Sequence, residues 1–232
     1  MIQDLKARVA SEGFARVSGE DMGRLIGAEA LIGWPAYSAS WADLAPDQFM
    51  ADGGRYRRRR YAAFEVDEAG ARRLPHQPHF QSLDYNRLNG GVDRWFEPIT
   101  EQVAGDPLTD RIIGLCRGVF GAGGFPWRCE MHQFRIEARA GEIGQPTPEG
   151  VHRDGVDWVL VMLVARRNVA AGETSIFDPQ GRPLGSFTLT EPLDAVFLDD
   201  ARVFHGVTAI EAVDRTQPAF RDVLVATFRR KG

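Results

Sequence analysis

From about residue 126 onward the chain is a succession of strand-length apolar pieces, and that rhythm constrains the fold more than any other feature. Seven pieces stand out: PWRCEMHQFRIEA, DWVLVMLVARR, TSIFD, GSFTLT, DAVFLD, RVFHGVTAI and RDVLVATFRR. Short turn signals such as PQGRP and LDDA part them. Regularly spaced strands of this kind argue for an antiparallel sandwich or barrel.

The first hundred residues have a different texture. IQDLKARVASEGFARV reads as an amphipathic helix, a glycine and a short strand. SGEDMGRLIG reads as a helix capped by Ser18, and DLAPDQFM as another short helix. RYRRRRYAAFEV has the aromatic character of a strand despite its arginines. The stretch from Arg72 to Pro98 is dense in Pro, Gly and Asn and reads as long loops. LTDRIIGLCRGVF is the strongest helix signal, with a stop at Gly121, Gly123 and Gly124. The expectation is one domain, with residues 1–125 a helical and loop-rich layer and residues 126–232 a β core.

Composition narrows the function classes. With 44% apolar residues the chain can bury a sizeable core, which excludes disorder. A net charge of -4 argues against bulk binding to nucleic acid or an anionic membrane. The start is too polar for a signal peptide, and no apolar run approaches the ~20 residues of a membrane span. Cys116 and Cys129 form no CxxC, so neither a disulfide framework nor a thiolate zinc site is expected. A soluble, cytoplasmic protein is the expectation.

One short segment raises a chemical question. GVHRDGVDWVLVML, residues 150–163, places His152 and Asp154 ahead of an apolar strand. Residues two apart on extended backbone share a face, roughly 7 Å apart at Cα, so both side chains can reach one ion while Arg153 points away. His205 interrupts an otherwise apolar strand and supplies a third donor. Alone, it would read as a satisfied core histidine. Two histidines and a carboxylate on one side of a metal form the facial triad of non-haem Fe(II) oxygenases, with positions left open opposite.

The phrases PEGVHRDGVDWV, GETSIFD, PLDAVFLDDARVFHGVTAI and FRDVLVATF resemble the Fe(II)/2-oxoglutarate-dependent dioxygenases. More narrowly, they resemble bacterial free amino-acid hydroxylases of the L-isoleucine dioxygenase group. The resemblance implies an α+β, mainly β fold, with a double-stranded β-helix (jelly-roll, cupin-like) core and N-terminal helices packed against it. It implies Fe(II), 2-oxoglutarate and O2, with His152, Asp154 and His205 taking the iron. The reaction it implies turns 2-oxoglutarate into succinate and CO2 while hydroxylating a free aliphatic L-amino acid or oxidising a thioether. The family needs a basic residue on the last core strand to hold the distal carboxylate of 2-oxoglutarate. Arg221 is preferred to Arg215, because a bidentate clamp should ride on a rigid element. The rival is a non-catalytic, cupin-like protein that binds or senses a metal or a small acid.

Other residues carry weaker expectations. Gln133, Arg135 and Glu137 alternate onto one strand face. If that face points inward, unliganded Gln133 and Arg135 would be costly, which makes them candidates to bind cosubstrate or substrate. His132, on the other face, reads as a packing or surface residue. Glu173 and Thr174 read as a turn, or as a contact to an amino-acid ammonium. Asp157 reads as a turn residue or an outer support, and Asp199 and Asp200 as shaping the turn between two strands. His76 and His79 read as contacts from a substrate lid. Arg57, Arg59 and Tyr61 share one face of their strand, which is expected to be solvated, with Arg59 the arginine that could reach a substrate carboxylate.

Overall fold

Each apolar piece of the C-terminal half becomes a strand. The computed structural model describes residues 1–121, 126–139 and 141–231. Ahead of the core lie β1 (Phe14–Val17), β2 (Arg57–Asp67) and β3 (Gly70–Arg73). The core begins with β4 (Trp127–Ala138), β5 (Trp158–Arg167), β6 (Val169–Ala171) and β7 (Glu173–Phe177). It continues with β8 (Pro183–Thr188), β9 (Ala195–Asp199), β10 (Phe204–Val207), β11 (Ile210–Ala212) and β12 (Ala219–Arg230). RVFHGVTAI, read as one strand, is two, because its halves join different sheets.

The larger sheet has seven strands in the order β1-β9-β5-β12-β4-β2-β3. Opposite lie a three-stranded sheet, β10-β7-β8, and a two-stranded one, β11-β6. The strand pairs are antiparallel throughout. Met131, Leu160, Met162, Phe197 and Leu224 on one face of the large sheet join a core with Leu5, Val9, Ile112 and Cys116 from the helices Ile2–Glu12 and Pro107–Phe120. Val159, Val196 and Leu198 on its other face pack against Ile176 and Val203. Helices, large sheet and small sheets therefore form three layers. The middle layer is buried on both faces, which is why β5 reads WVLVMLVA without a polar face. Each fully buried Leu, Met or Phe contributes about 1.5–3 kcal/mol. A large antiparallel sheet faced by two small ones, with helices outside the large sheet, makes the jelly roll that the sequence resemblance implies.

Local signals explain the helix ends. Ser18 caps the helix Gly19–Ile26, its side chain accepting from the Asp21 N–H. The helix Pro107–Phe120 ends on Gly121, whose φ of 71° is left-handed; Gly123 and Gly124 lie outside the described residues. DLAPDQFM departs from expectation. After a short 3-10 turn, Ser40–Asp43, it runs extended, because Pro46 bridges Arg58 and the Asp47 carboxylate is drawn in to pair with Arg57 at 2.7 Å. No helix among the described residues is long and apolar enough to cross a membrane.

Candidate functional site

His152 and Asp154 lie ahead of β5 rather than inside a strand, and one bridge fixes their place. The backbone groups of His152 and His205 exchange both hydrogen bonds, each 2.9 Å. Directly opposed residues on paired backbone present side chains to the same face. The two imidazoles therefore meet, with ring centroids 4.6 Å apart. Asp154, two residues on, returns to that face. Its Oδ1 stands 3.7 Å from His152 Nε2 and its Oδ2 3.8 Å from His205 Nε2. One donor atom from each of the three lies within 4.8 Å of the others.

The donor chemistry suits a first-row metal. His152 Nδ1 faces the Gly150 carbonyl at 3.1 Å; that oxygen only accepts, so Nδ1 carries a proton and Nε2 is the nitrogen turned to the cluster. Burial opposes a charge on His152, but the hydrogen bond and charge of Asp154, with Glu149 behind it, outweigh it and lift the imidazole to about 9. His205, buried and next to His152, is pushed down to about 4. Two imidazoles and a carboxylate held this way fit the facial donor set of a non-haem iron site.

Asp200 holds the loop in shape, a role its reading as a turn residue missed. Its buried carboxylate accepts from the N–H groups of Asp154, Gly155 and Val156 at 3.0, 2.8 and 3.0 Å. From the opposite side Gln81 Nε2 donates to the Asp154 carbonyl at 3.0 Å. Gly155 has φ +76°, and a Cβ there would meet the Tyr85 ring at 2.4 Å. Asp200→Ala should leave three N–H groups without their acceptor, at a cost of about 2–4 kcal/mol. The expected result is a melting temperature roughly 5–15 °C lower, together with metal binding weakened about 10–100-fold. Calorimetry and metal titration would check this, and unchanged values in both would refute the assignment.

The cluster opens on a cavity of about 110 Å³ whose wall includes Phe134, Val161, Val207, Arg57 and Arg221. Arg221 faces inward from β12, between Ile136 of β4 and Arg166 of β5. It is 2% exposed, and its Nε and one terminal nitrogen have no hydrogen-bond partner among the described residues. Burial, and then the charge of Arg166, push it down to about 10. A buried cation beside another, without a counter-charge, is an unmet demand for an anion. Arg215 stands exposed in the turn before β12.

Several expectations are reversed by which face looks inward. Gln133 and Arg135 lie on the outer face of β4. Gln133 donates to Ser40 Oγ at 2.8 Å, and Arg135 makes a two-pronged pair with Asp222 at 2.8 and 2.7 Å. Neither reaches the cavity, since Phe134 and Ile136 occupy the inner face. His132 shares that inner face and is buried. Arg59 and Arg57, expected in solvent, are 4% and 6% exposed. The Arg59 guanidinium lies over the rings of Phe96 and Phe134, at 3.5 and 4.5 Å, and meets His132 Nδ1 at 2.8 Å. Thr174 is buried opposite Val207, whereas Glu173 is exposed on the outer face.

His79, Glu130 and His132 form a second group whose donor atoms lie within 4.8 Å of one another. Part of its bonding is already taken: His79 Nδ1 meets Glu130 at 2.9 Å, and the Arg59 N–H donates to His132 Nδ1. Burial and then the charge of Arg59 hold His132 well below its usual range. That positive surrounding disfavours a second cation.

A jelly roll whose interior brings together two imidazoles, a carboxylate and a free arginine has the make-up of a non-haem iron oxygenase. The chain belongs to the 2OG-Fe dioxygenase family, whose profile matches residues 38–227. The family uses Fe(II), 2-oxoglutarate and O2. L-isoleucine-4-hydroxylase from Bacillus thuringiensis is 28% identical over 159 residues, which is 66% of this chain and 65% of that protein, a little under two thirds of its length. The crystal structure of a bsmA homolog from Methylobium petroleophilum superposes with a TM-score of 0.84 at 36% identity, covering 98% of this chain and 92% of that one. IDO from Bacillus thuringiensis shares the fold, with a TM-score of 0.82 at 23% identity and full coverage of both chains.

Proposed function

We propose that this protein is a single-domain, cytoplasmic Fe(II)- and 2-oxoglutarate-dependent hydroxylase of a free aliphatic L-amino acid, or an oxidase of a thioether such as methionine. His152, Asp154 and His205 hold the metal, and Arg221 holds the distal carboxylate of 2-oxoglutarate. The observation that carries this reading is the unpartnered, buried guanidinium of Arg221 in the wall of the cavity that the three donors share. The amino-acid substrate is supported by the similarity to L-isoleucine-4-hydroxylase. The compartment is supported by Cys116 and Cys129, both buried and unpaired.

When bound, the iron supplies O2 activation coupled to decarboxylation of 2-oxoglutarate, giving succinate, CO2 and a hydroxylated carbon. The chain's own part is positioning. Arg221 fixes the cosubstrate by a two-pronged charged contact. The Gly150 carbonyl keeps His152 in the tautomer that can ligate. Phe134, Val161 and Val225 give that cavity an apolar stretch of wall that limits water.

The test is to incubate anaerobically purified protein with Fe(II), ascorbate and 2-oxoglutarate, admit O2, and measure succinate with each of the proteinogenic amino acids. Succinate rising with an aliphatic amino acid or methionine, and a product heavier by one oxygen, is the expected result. Turnover only on a peptide or another metabolite would sink the amino-acid reading. No substrate-dependent succinate with any compound would favour a binding or sensor protein.

A further inference from the structure

We infer that Arg57 and Glu149 form a receptor for the two charged ends of a zwitterionic substrate, Arg57 taking the α-carboxylate and Glu149 the α-ammonium. This rests on the amino-acid reading above and names how that substrate is recognised.

Both residues line the cavity that holds the metal cluster and Arg221. The interior offers two cations and one spare anion, and Arg221 answers the cosubstrate. Arg57 lies in the same row as Arg221, because each is directly opposed to Ile136 from the two sides of β4. Their backbones are thus two strand spacings apart, roughly 9–10 Å, so the two guanidiniums serve separate anions. Asp47 anchors Arg57 through Nε at 2.7 Å. The terminal nitrogens of Arg57 donate to no group among the described residues and are left for a ligand.

Glu149 complements it. Its Oε2 is buried without a partner among the described residues, and its Oε1 is 3.5 Å from His152 Nε2. Glu149 and His152 also line the adjoining outer pocket of about 350 Å³, beside Tyr85 and Phe204. An ammonium at Glu149 would sit next to the metal, where a neighbouring side-chain carbon is within reach of oxidation.

The consequence is a demand for both free ends. L-isoleucine, L-leucine, L-valine and L-methionine would be compared with their 2-hydroxy-acid and carboxamide analogues, in wild type, Glu149→Gln, Arg57→Lys and Arg57→Met. Each amino acid the wild type oxidises should outrun its analogues in kcat/KM by on the order of 100-fold. Glu149→Gln should lower kcat/KM for the amino acid roughly 10- to 100-fold and erase the preference over the hydroxy acid. Arg57→Lys should retain part of the activity and part of the preference over the carboxamide, whereas Arg57→Met should keep little activity and lose that preference. The absorption band of the metal–2-oxoglutarate complex should be unchanged in all three, which separates this role from metal or cosubstrate binding. Wild-type preferences kept in Glu149→Gln and Arg57→Met would overturn the receptor while leaving the amino-acid reading intact. A wild type inactive on every free amino acid would overturn both.

Discussion

His205→Ala should all but abolish substrate-dependent succinate formation while leaving the chain folded. The side chain supplies one of three donor atoms, whereas its backbone pairing with His152 survives in alanine. Losing an outer partner of a metal ligand typically costs 10–100-fold, and losing the ligand costs more, so a fall on the order of 1000-fold is expected. His152→Ala and Asp154→Ala should behave alike, because each empties one corner of the same cluster. Asp154→Ala keeps the three N–H contacts to Asp200, which bind backbone and not the side chain. The melting temperature should therefore move little. Substantial iron-dependent turnover in His205→Ala would show that the cluster is not the metal site.

Arg221→Ala should specifically weaken 2-oxoglutarate. Removing one partner of a buried, hydrogen-bonded charge pair costs about 2–5 kcal/mol, or roughly 30-fold to a few thousandfold in affinity. The free protein should not suffer equally. Arg221 has no counter-charge there and is next to Arg166, so its removal relieves repulsion as it opens a gap. Lysine at 221 should recover part of the loss, since an ammonium cannot give the two-pronged contact. Arg215→Ala, in an exposed turn, should have little effect. Anaerobic titration of 2-oxoglutarate, followed by its metal absorption band, measures all three. Tight binding in Arg221→Ala with weak binding in Arg215→Ala would reverse the assignment.

Much of the architecture was legible because short strands announce themselves. Gly, Pro and Asp turns cut the C-terminal half into the pieces observed, and Ser18 marked its helix by a side chain that caps. The grouping of His152, Asp154 and His205 was legible too, through spacing and order. Other partners were hidden by distance along the chain. Asp200 reaches Asp154 across 46 residues and Gln81 reaches it across 73, and neither lies in a spaced pattern. Glu149 could have been found, as an acidic residue three before His152.

The sequence by itself determined which side chains travel together. Alternation put Gln133 with Arg135, His132 with Phe134, and Arg57 with Arg59, and those groupings hold in β4 and β2. It did not determine which group faces the cavity. A period of two is symmetric, and only a solvated face breaks the tie. The large sheet has none over most of its area, since helices cover one side and the small sheets the other. Tertiary packing made the choice, turning Phe134, Arg57 and Arg221 toward the cavity that His152, Asp154 and His205 line and leaving Gln133 and Arg135 to find partners in Ser40 and Asp222 outside.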